Sequence, residues 1–204
     1  MKNLSQEIWF DYGKIWDSLL QNVQPKGILE IGCYDGGTTC NLIARLEDEC
    51  EIHCVDPWHD YDEPNGENMS EVENNFDKNI SLALEKKASP IKVMKHKEKS
   101  ESCLPKFLVE GKKNFFDLIY IDGSHMASDV LFDAVISFHL CRIDGVIIFD
   151  DYLWSPIFKF QNGALGKNLS MSPKPAIDAF TSIYWDKLDI KAAHYQVFVQ
   201  KISN

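Results

Sequence analysis

The chain has 204 residues, 45% hydrophobic and 25% charged, with 31 Asp and Glu against 21 Lys and Arg for a formal net charge of −10. That size and composition fit one globular domain with a sizeable core, and an acidic surface repels nucleic acid and anionic membrane. No apolar run approaches the roughly 18 residues of a membrane span. The opening stretch, MKNLSQEIWFDYGKIW, carries acids where a secretory signal needs a basic start, so the expected compartment is the cytoplasm.

In chain order, Ile8, Tyr12, Ile15, Trp16, Leu19, Leu20 and Val23 fall on one helical stripe over 4–23, ended by Pro25 and Gly27. GILEIGCYDGGTT reads as a short apolar strand feeding a glycine-rich turn, followed by a helix to about Leu46. EIHCVDPW is a second strand ending at Asp56, and residues 59–70 are polar and turn-rich, an exposed loop or lid. A helix over 71–87, the strand IKVMKH, a short helix over 101–110 and the strand FFDLIYID, ending at Asp122, come next. A helix over 127–141 leads to a fifth strand, GVIIFDD. A loop with Gly163, Gly166, Pro173 and Pro175 then leads to a helix over 176–186 and two strands near 188–193 and 195–202, whose short link requires an antiparallel hairpin.

Apolar strands alternating with helices predict an α/β fold with a parallel sheet covered on both faces. No repeat, low-complexity tract or linker interrupts the pattern, so one domain is expected. Six cysteines (33, 40, 50, 54, 103 and 141) form no CxxC pair and read as small buried thiols rather than a disulfide framework or zinc site. The basic cluster KVMKHKEKSE, 92–101, is diluted by acids and reads as a solvated strand end. A small-molecule substrate is therefore favoured.

In open parallel sheets, ligands bind beyond the carboxyl ends of the strands. Acids stand at or near four of those ends: Glu30, Asp56, Asp122, and Asp150 with Asp151. Two carboxylates about 4 Å apart repel by roughly 1 kcal/mol in water and several times that near a protein surface. The paired acids of GVIIFDDYLW therefore call for a positive partner, a solvated turn being the alternative. The first turn separates two kinds of nucleotide ligand. A dinucleotide fold wants GxGxxG, so that the chain can approach a pyrophosphate. Here Gly32, Gly36 and Gly37 give GxxxGG, with Glu30 two residues ahead. An acid at the turn repels a pyrophosphate and suits a ligand with a nearby cation, and Asp56 is placed to accept from ribose hydroxyls. A nucleoside with a cationic tail fits these groups better than NAD.

These features resemble the class I S-adenosylmethionine-dependent methyltransferases over nearly the full chain. The resemblance implies a Rossmann-like, seven-stranded, mostly parallel sheet of order 3-2-1-4-5-7-6, strand 7 antiparallel. It divides 1–204 into an N-terminal helix (1–25), a cofactor-binding core (26–154), and a lid loop, helix and terminal hairpin (155–204). It places Glu30, Gly32, Gly36 and Thr38 along the methionine moiety and Asp56 on the ribose. Ser100 resembles the serine near the adenine, although KHKEKSES has lysine where a glycine is often found.

FDLIYIDGSHMASDVLFDAV, GVIIFDDYLW and PKPAIDAF are similar to the metal-dependent small-molecule O-methyltransferases, the macrocin-type sugar enzymes nearest and the catechol enzymes more distant. The resemblance implies one Mg²⁺ held by the acid ending strand four and two consecutive residues ending strand five, here Asp122, Asp150 and Asp151. Asp122 counts with the cofactor-binding and catalytic residues as well. Mg²⁺ takes hard oxygen ligands and keeps some waters, which leaves room for a substrate's vicinal oxygens.

Methyl transfer to a hydroxyl needs a base or a metal to remove the proton. His125 stands where catechol and caffeoyl-type relatives have a lysine base, three residues after Asp122; macrocin-type relatives often have an acid at the position of Ser124. His125 is the candidate base, with a role capping the next helix as the alternative. The other histidines (53, 59, 96, 139 and 194) read as surface or packing residues. Trp58, Trp154, Tyr152 and Phe158 read either as the wall of a sugar or aryl ring or as core residues, and the loop over 155–172 as a lid or simply a mobile segment. The expectation is Mg²⁺-assisted methylation of a small hydroxylated molecule, a sugar or glycosylated metabolite rather than a catechol. Metal-independent transfer and a non-catalytic S-adenosylmethionine-binding relative stay open, as does a homo-oligomer; the turn spacing disfavours a nicotinamide oxidoreductase.

Overall fold

The computed structural model describes residues 15–59, 68–155, 158–159, 165–166 and 169–204. A helix over 15–23 (α1) precedes β1 (Gly27–Ile31), α2 (Gly37–Arg45), β2 (Cys50–Val55), α3 (Met69–Glu85), β3 (Ile91–His96) and α4 (Ser100–Val109). Then come β4 (Phe116–Ile121), α5 (Ala127–Leu140), β5 (Cys141–Phe149), a two-stranded ribbon of β6 (Phe158–Lys159) and β7 (Leu165–Gly166), α6 (Lys174–Ile183), β8 (Leu188–Ala193) and β9 (Val197–Lys201).

The main sheet has seven strands in the order β3-β2-β1-β4-β5-β9-β8. The first five pair in parallel, and β9 lies antiparallel between β5 and β8. This is the Rossmann-like methyltransferase order. The central strands are apolar on both faces, so alternate residues enter two different cores. Ile119, Ile121, Ile147, Phe149, Val197 and Val199 pack with α4, α5 and α6. Leu118, Tyr120, Val146, Ile148 and Phe198 pack with α1, α2 and α3. Each such large side chain taken fully from water contributes about 1.5–3 kcal/mol.

The helix boundaries fall within two or three residues of the periodicity-based expectation, but β5 starts earlier than the reading at GVIIFDD. Phe116 pairs with Cys141 while Leu118 already pairs with Val146, so residues 142–145 bulge out of register. Asp144 adopts φ 66° there. The Asp144-Gly145 turn signature is used inside the strand, as a bulge, rather than ahead of it. Much of the expected 59–70 and 155–172 loops, and the first part of the expected 4–23 helix, lie outside the described residues.

The parallel ladder runs on past the strand ends. Gly32 N–H donates to Val55 O (2.9 Å), Asp122 N–H to Ile31 O (2.8 Å) and Asp150 N–H to Ile121 O (3.0 Å). That continuation brings the glycine turn and the strand-end acids to one edge.

Candidate active site

Gly32 has φ 83°, and a Cβ there would lie 2.0 Å from Asp122 O. Only glycine lets the turn after β1 cross so close to the end of β4. Gly36, also at φ 83°, is the N-cap of α2. Asp56 holds the turn in place: one carboxylate oxygen accepts from the amides of Cys33 (2.9 Å) and Tyr34 (3.0 Å), the other from Trp58 N (2.7 Å). The acid expected at a ribose thus also fixes the turn beside it.

Glu30 is 1% exposed. Burial pushes its carboxyl up to about 8, against a hydrogen bond from Thr39 and with Asp56 adding to the rise. The Thr39 hydroxyl donates to Glu30, at 2.5 Å; Thr38, the residue expected along the methionine moiety, is half-buried at the adjoining position. At the start of α4, Ser100 is hydrogen-bonded to the buried Asp133 of α5.

Asp122, Asp150 and Asp151 line one cleft with Ser124, His125, Phe149 and Pro173. Burial first, then the charges of Asp150, Asp151 and Glu30, push Asp122 up to about 9. Asp150 is also raised, chiefly by burial. It accepts from Tyr120 Oη, from Gln196 Nε2 (3.0 Å) and from the Asp151 amide (2.7 Å). Asp151 sits in the left-handed region, φ 54°, a strained conformation for a non-glycine residue and one that re-aims its side chain. Burial opposes its ionisation, but hydrogen bonds with His125 and Tyr195 hold it below the ordinary value.

His125 Nε2 lies 2.7 Å from Asp151 Oδ2. The His125 ring stacks on Trp154, with centroids 4.1 Å apart and planes 17° from parallel. The N-cap of α5 is Met126, with no side-chain cap; just ahead of it, Ser124 Oγ accepts from Met126 N (3.0 Å) and donates to Asp129 (2.8 Å). Of the other expected wall aromatics, Trp58 is buried against Phe76 and donates to Tyr34 O, so it is core. Tyr152 Oη donates to Asp178 and accepts from Lys174. The Phe158 side chain lies outside the described residues.

Four site residues escaped sequence reasoning. Tyr120 and Gln196 hold Asp150, Tyr195 holds Asp151, and Trp16 Nε1 donates to Gln196 Oε1 at 3.1 Å. The signal available for Tyr120 and Gln196 was a polar group in an otherwise apolar strand or at its edge. His53 and His96 pack as expected, rings stacked and Nδ1 2.9 Å from Nε2, with Glu51 on the far nitrogen of His53.

A profile described as a methyltransferase domain matches residues 29–152, the stretch that carries the glycine turn and every strand-end acid. The chain belongs to this methyltransferase-domain family. A Dictyostelium discoideum protein named "Probable caffeoyl-CoA O-methyltransferase 3" is 24% identical over 136 residues, which are 67% of this chain and 47% of that one. The chain thus spans about half the length of that relative. Two crystal structures share the fold. The O-methyltransferase TomG from Streptomyces achromogenes, involved in tomaymycin synthesis and in complex with SAM, has a TM-score of 0.66 at 14% identity, covering 95% of this chain and 80% of that one. An O-methyltransferase from Bacillus cereus in complex with SAH has a TM-score of 0.62 at 19% identity, covering 94% and 81%. Among the described residues no helix is long and apolar enough to cross a membrane.

Proposed function

We propose that the protein is an S-adenosylmethionine-dependent O-methyltransferase that acts, with help from a divalent cation, on a hydroxyl of a small sugar or glycosylated molecule. The observation that carries this reading is the meeting of Asp122, Asp150, Asp151 and His125 in one cleft, beside a glycine turn whose backbone Asp56 fixes. The named relative and both crystal structures are O-methyltransferases by name, which supports the same class.

In this reading Glu30, Gly32, Gly36, Thr38 and Asp56 hold the methyl donor, with Ser100 and Asp122 at its flanks. When bound, S-adenosylmethionine supplies a methyl group on a positively charged sulfur. Asp122, Asp150 and Asp151 suit a hard divalent cation, because three carboxylates crowd one cleft and two of them are held above their ordinary pKa by burial and mutual repulsion. When bound, the cation supplies positive charge that favours loss of the acceptor's proton. Asp151 accepts from His125 Nε2–H, which leaves the Nδ1 lone pair to take that proton. As it does so, an O–CH3 bond forms and the S–CH3 bond breaks. Trp154, stacked on His125, fixes the ring's orientation and offers an aromatic edge to a sugar ring.

Calorimetry tests the reading first. S-adenosylmethionine or its demethylated product is expected to bind with measurable heat and NAD with none; NAD binding without nucleoside binding would sink the proposal. His125→Ala is expected to lower the maximal rate by about 10²- to 10⁴-fold, the range for a general base, with the melting temperature little changed. Added imidazole should recover part of that loss. No recovery, together with a large fall in melting temperature, assigns His125 to structure instead.

The His125–Asp151 pair itself favours a second reading, in which a carboxylate-oriented imidazole removes the proton without a metal. Activity in excess chelator separates the two.

A further inference from the structure

A second donor cluster lies under the glycine turn. Glu30 and Cys54 face each other across the β1–β2 ladder, and Cys33 is the second residue after β1. The ligand atoms of Glu30, Cys33 and Cys54 all lie within 4.8 Å of one another, and all three residues are buried. Thr39 Oγ1 adds an oxygen, 2.5 Å from Glu30 Oε2 and 3.6 Å from Cys54 Sγ. The Cys33 thiol is otherwise spent on weak contacts with two backbone carbonyls, Glu30 O (3.6 Å) and Val55 O (3.8 Å). Methyl transfer has no use for two thiols at this position.

The donor types select the ligand. Mg²⁺ prefers oxygen alone, whereas paired thiolates with one carboxylate suit zinc and its softer congeners. A tetrahedral ion with bonds of about 2.3 Å to sulfur and about 2.0–2.2 Å to oxygen sets donor separations of roughly 3.3–3.8 Å. The widest gap therefore has to close by at most about 1 Å. A dication is tolerated in a buried place only with anionic ligands, and two thiolates with a carboxylate supply them. The aspartates of the cleft do not draw their oxygens into so tight a set among the described residues.

We propose that Glu30, Cys33 and Cys54, with Thr39 as an oxygen donor, bind a thiophilic divalent cation of the zinc class, and that the bound ion excludes the methyl donor. Two sulfur–metal bonds and two oxygen–metal bonds form, the Thr39 hydroxyl binding as a neutral donor, as both thiols, and Glu30 where it is protonated, release their protons to solvent; no electrons are exchanged. The ion site stands on these four side chains alone. Only the exclusion rests on the proposed function, because Glu30 then serves both ligands.

Cd²⁺ is the probe. Titrated into reduced, metal-free protein, it is expected to give a near-ultraviolet sulfur-to-metal charge-transfer band that saturates at one equivalent and persists in excess Mg²⁺. Cys33→Ala and Cys54→Ala should each remove the band, Glu30→Gln should weaken binding at least tenfold, and Cys50→Ala should leave the band intact. An undiminished band in Cys54→Ala overturns the site. The wild-type protein guards against variants that fail to fold: absence of a saturating band in the reduced wild-type protein overturns the site whatever the variants do. Cd²⁺-loaded protein should bind S-adenosylhomocysteine at least tenfold more weakly than metal-free protein, and equal affinity overturns the exclusion. Failure of metal-free protein to bind S-adenosylhomocysteine counts against the methyltransferase reading and leaves the ion site standing.

Discussion

Methyl transfer is expected to stop when divalent ions are removed with a chelator, and to return when Mg²⁺ or Mn²⁺ is added. The cause lies in the charge balance of the cleft. Asp122 is pushed up to about 9 by burial and by the negative groups around it, so without a cation the cleft cannot hold all three carboxylates ionised near neutral pH. His125 answers Asp151, and Tyr120 and Gln196 give Asp150 hydrogen bonds but no positive charge. Asp150→Asn keeps the size of the side chain and removes its charge, and Asp151→Ala removes a proposed ligand and the partner of His125 together. Either change should lower the rate by more than about 10²-fold, beyond the 10–100-fold that supporting residues of metal sites typically contribute. Affinity for S-adenosylhomocysteine should stay nearly unchanged, because neither residue belongs to the glycine turn. Calorimetric titration with Mn²⁺ gives a readout independent of turnover, and binding should weaken in both variants. Full activity in excess chelator would transfer the proton-removing role to the His125–Asp151 pair alone.

The sheet was legible because each central strand is an apolar run and each helix carries a 3.6-residue stripe; the order of the strands came from family resemblance, not from periodicity. The strand-end acids were legible for the same reason, since Asp122 and Asp150 stand out at the ends of otherwise apolar segments. What stayed hidden depends on contacts made across the fold. Gln196 follows a hairpin turn and meets Asp150 only because β9 inserts beside β5. Trp16 looks like any apolar residue on an amphipathic helix, yet its indole N–H reaches Gln196, 180 residues away in the chain. That Thr39 meets Glu30 depends on which face of α2 turns toward β1, and two adjacent threonines carry no such signal. Trp58 reads as a wall because its position after Asp56 suggests a strand end, whereas φ 39° turns it back into the core.

Asp133→Asn is expected to flatten the pH dependence of stability. Asp133 is 1% exposed on α5, and among the described residues its Oδ1 has no hydrogen-bond partner, nor has Ser137 Oγ one turn further on. Burial pushes its carboxyl up to about 7, the Ser100 bond opposing and the charges of Asp129 and Glu101 adding to the rise. The unfolded chain returns it to the ordinary carboxylate value of about 3.9. A carboxyl raised by folding contributes stability that is fully present below the unfolded value and is lost as pH rises through the folded one. About three pKa units at 1.36 kcal/mol each give an upper bound near 4 kcal/mol, so a loss of about 2–4 kcal/mol is expected between roughly pH 4 and pH 8. The amide that Asp133→Asn introduces cannot ionise, which removes this part of the slope. Relative to wild type, the variant should therefore gain about 2–4 kcal/mol on going from the acid to the alkaline end of that window, read from urea melts at both pH values. Other titrating groups, His53 and His96 among them, are common to both proteins and cancel in the comparison. Parallel pH profiles would mean that solvent reaches Asp133 between α4 and α5. A variant less stable by the same amount at both ends would instead make the Ser100 hydrogen bond, not the buried charge, the dominant contribution of this side chain.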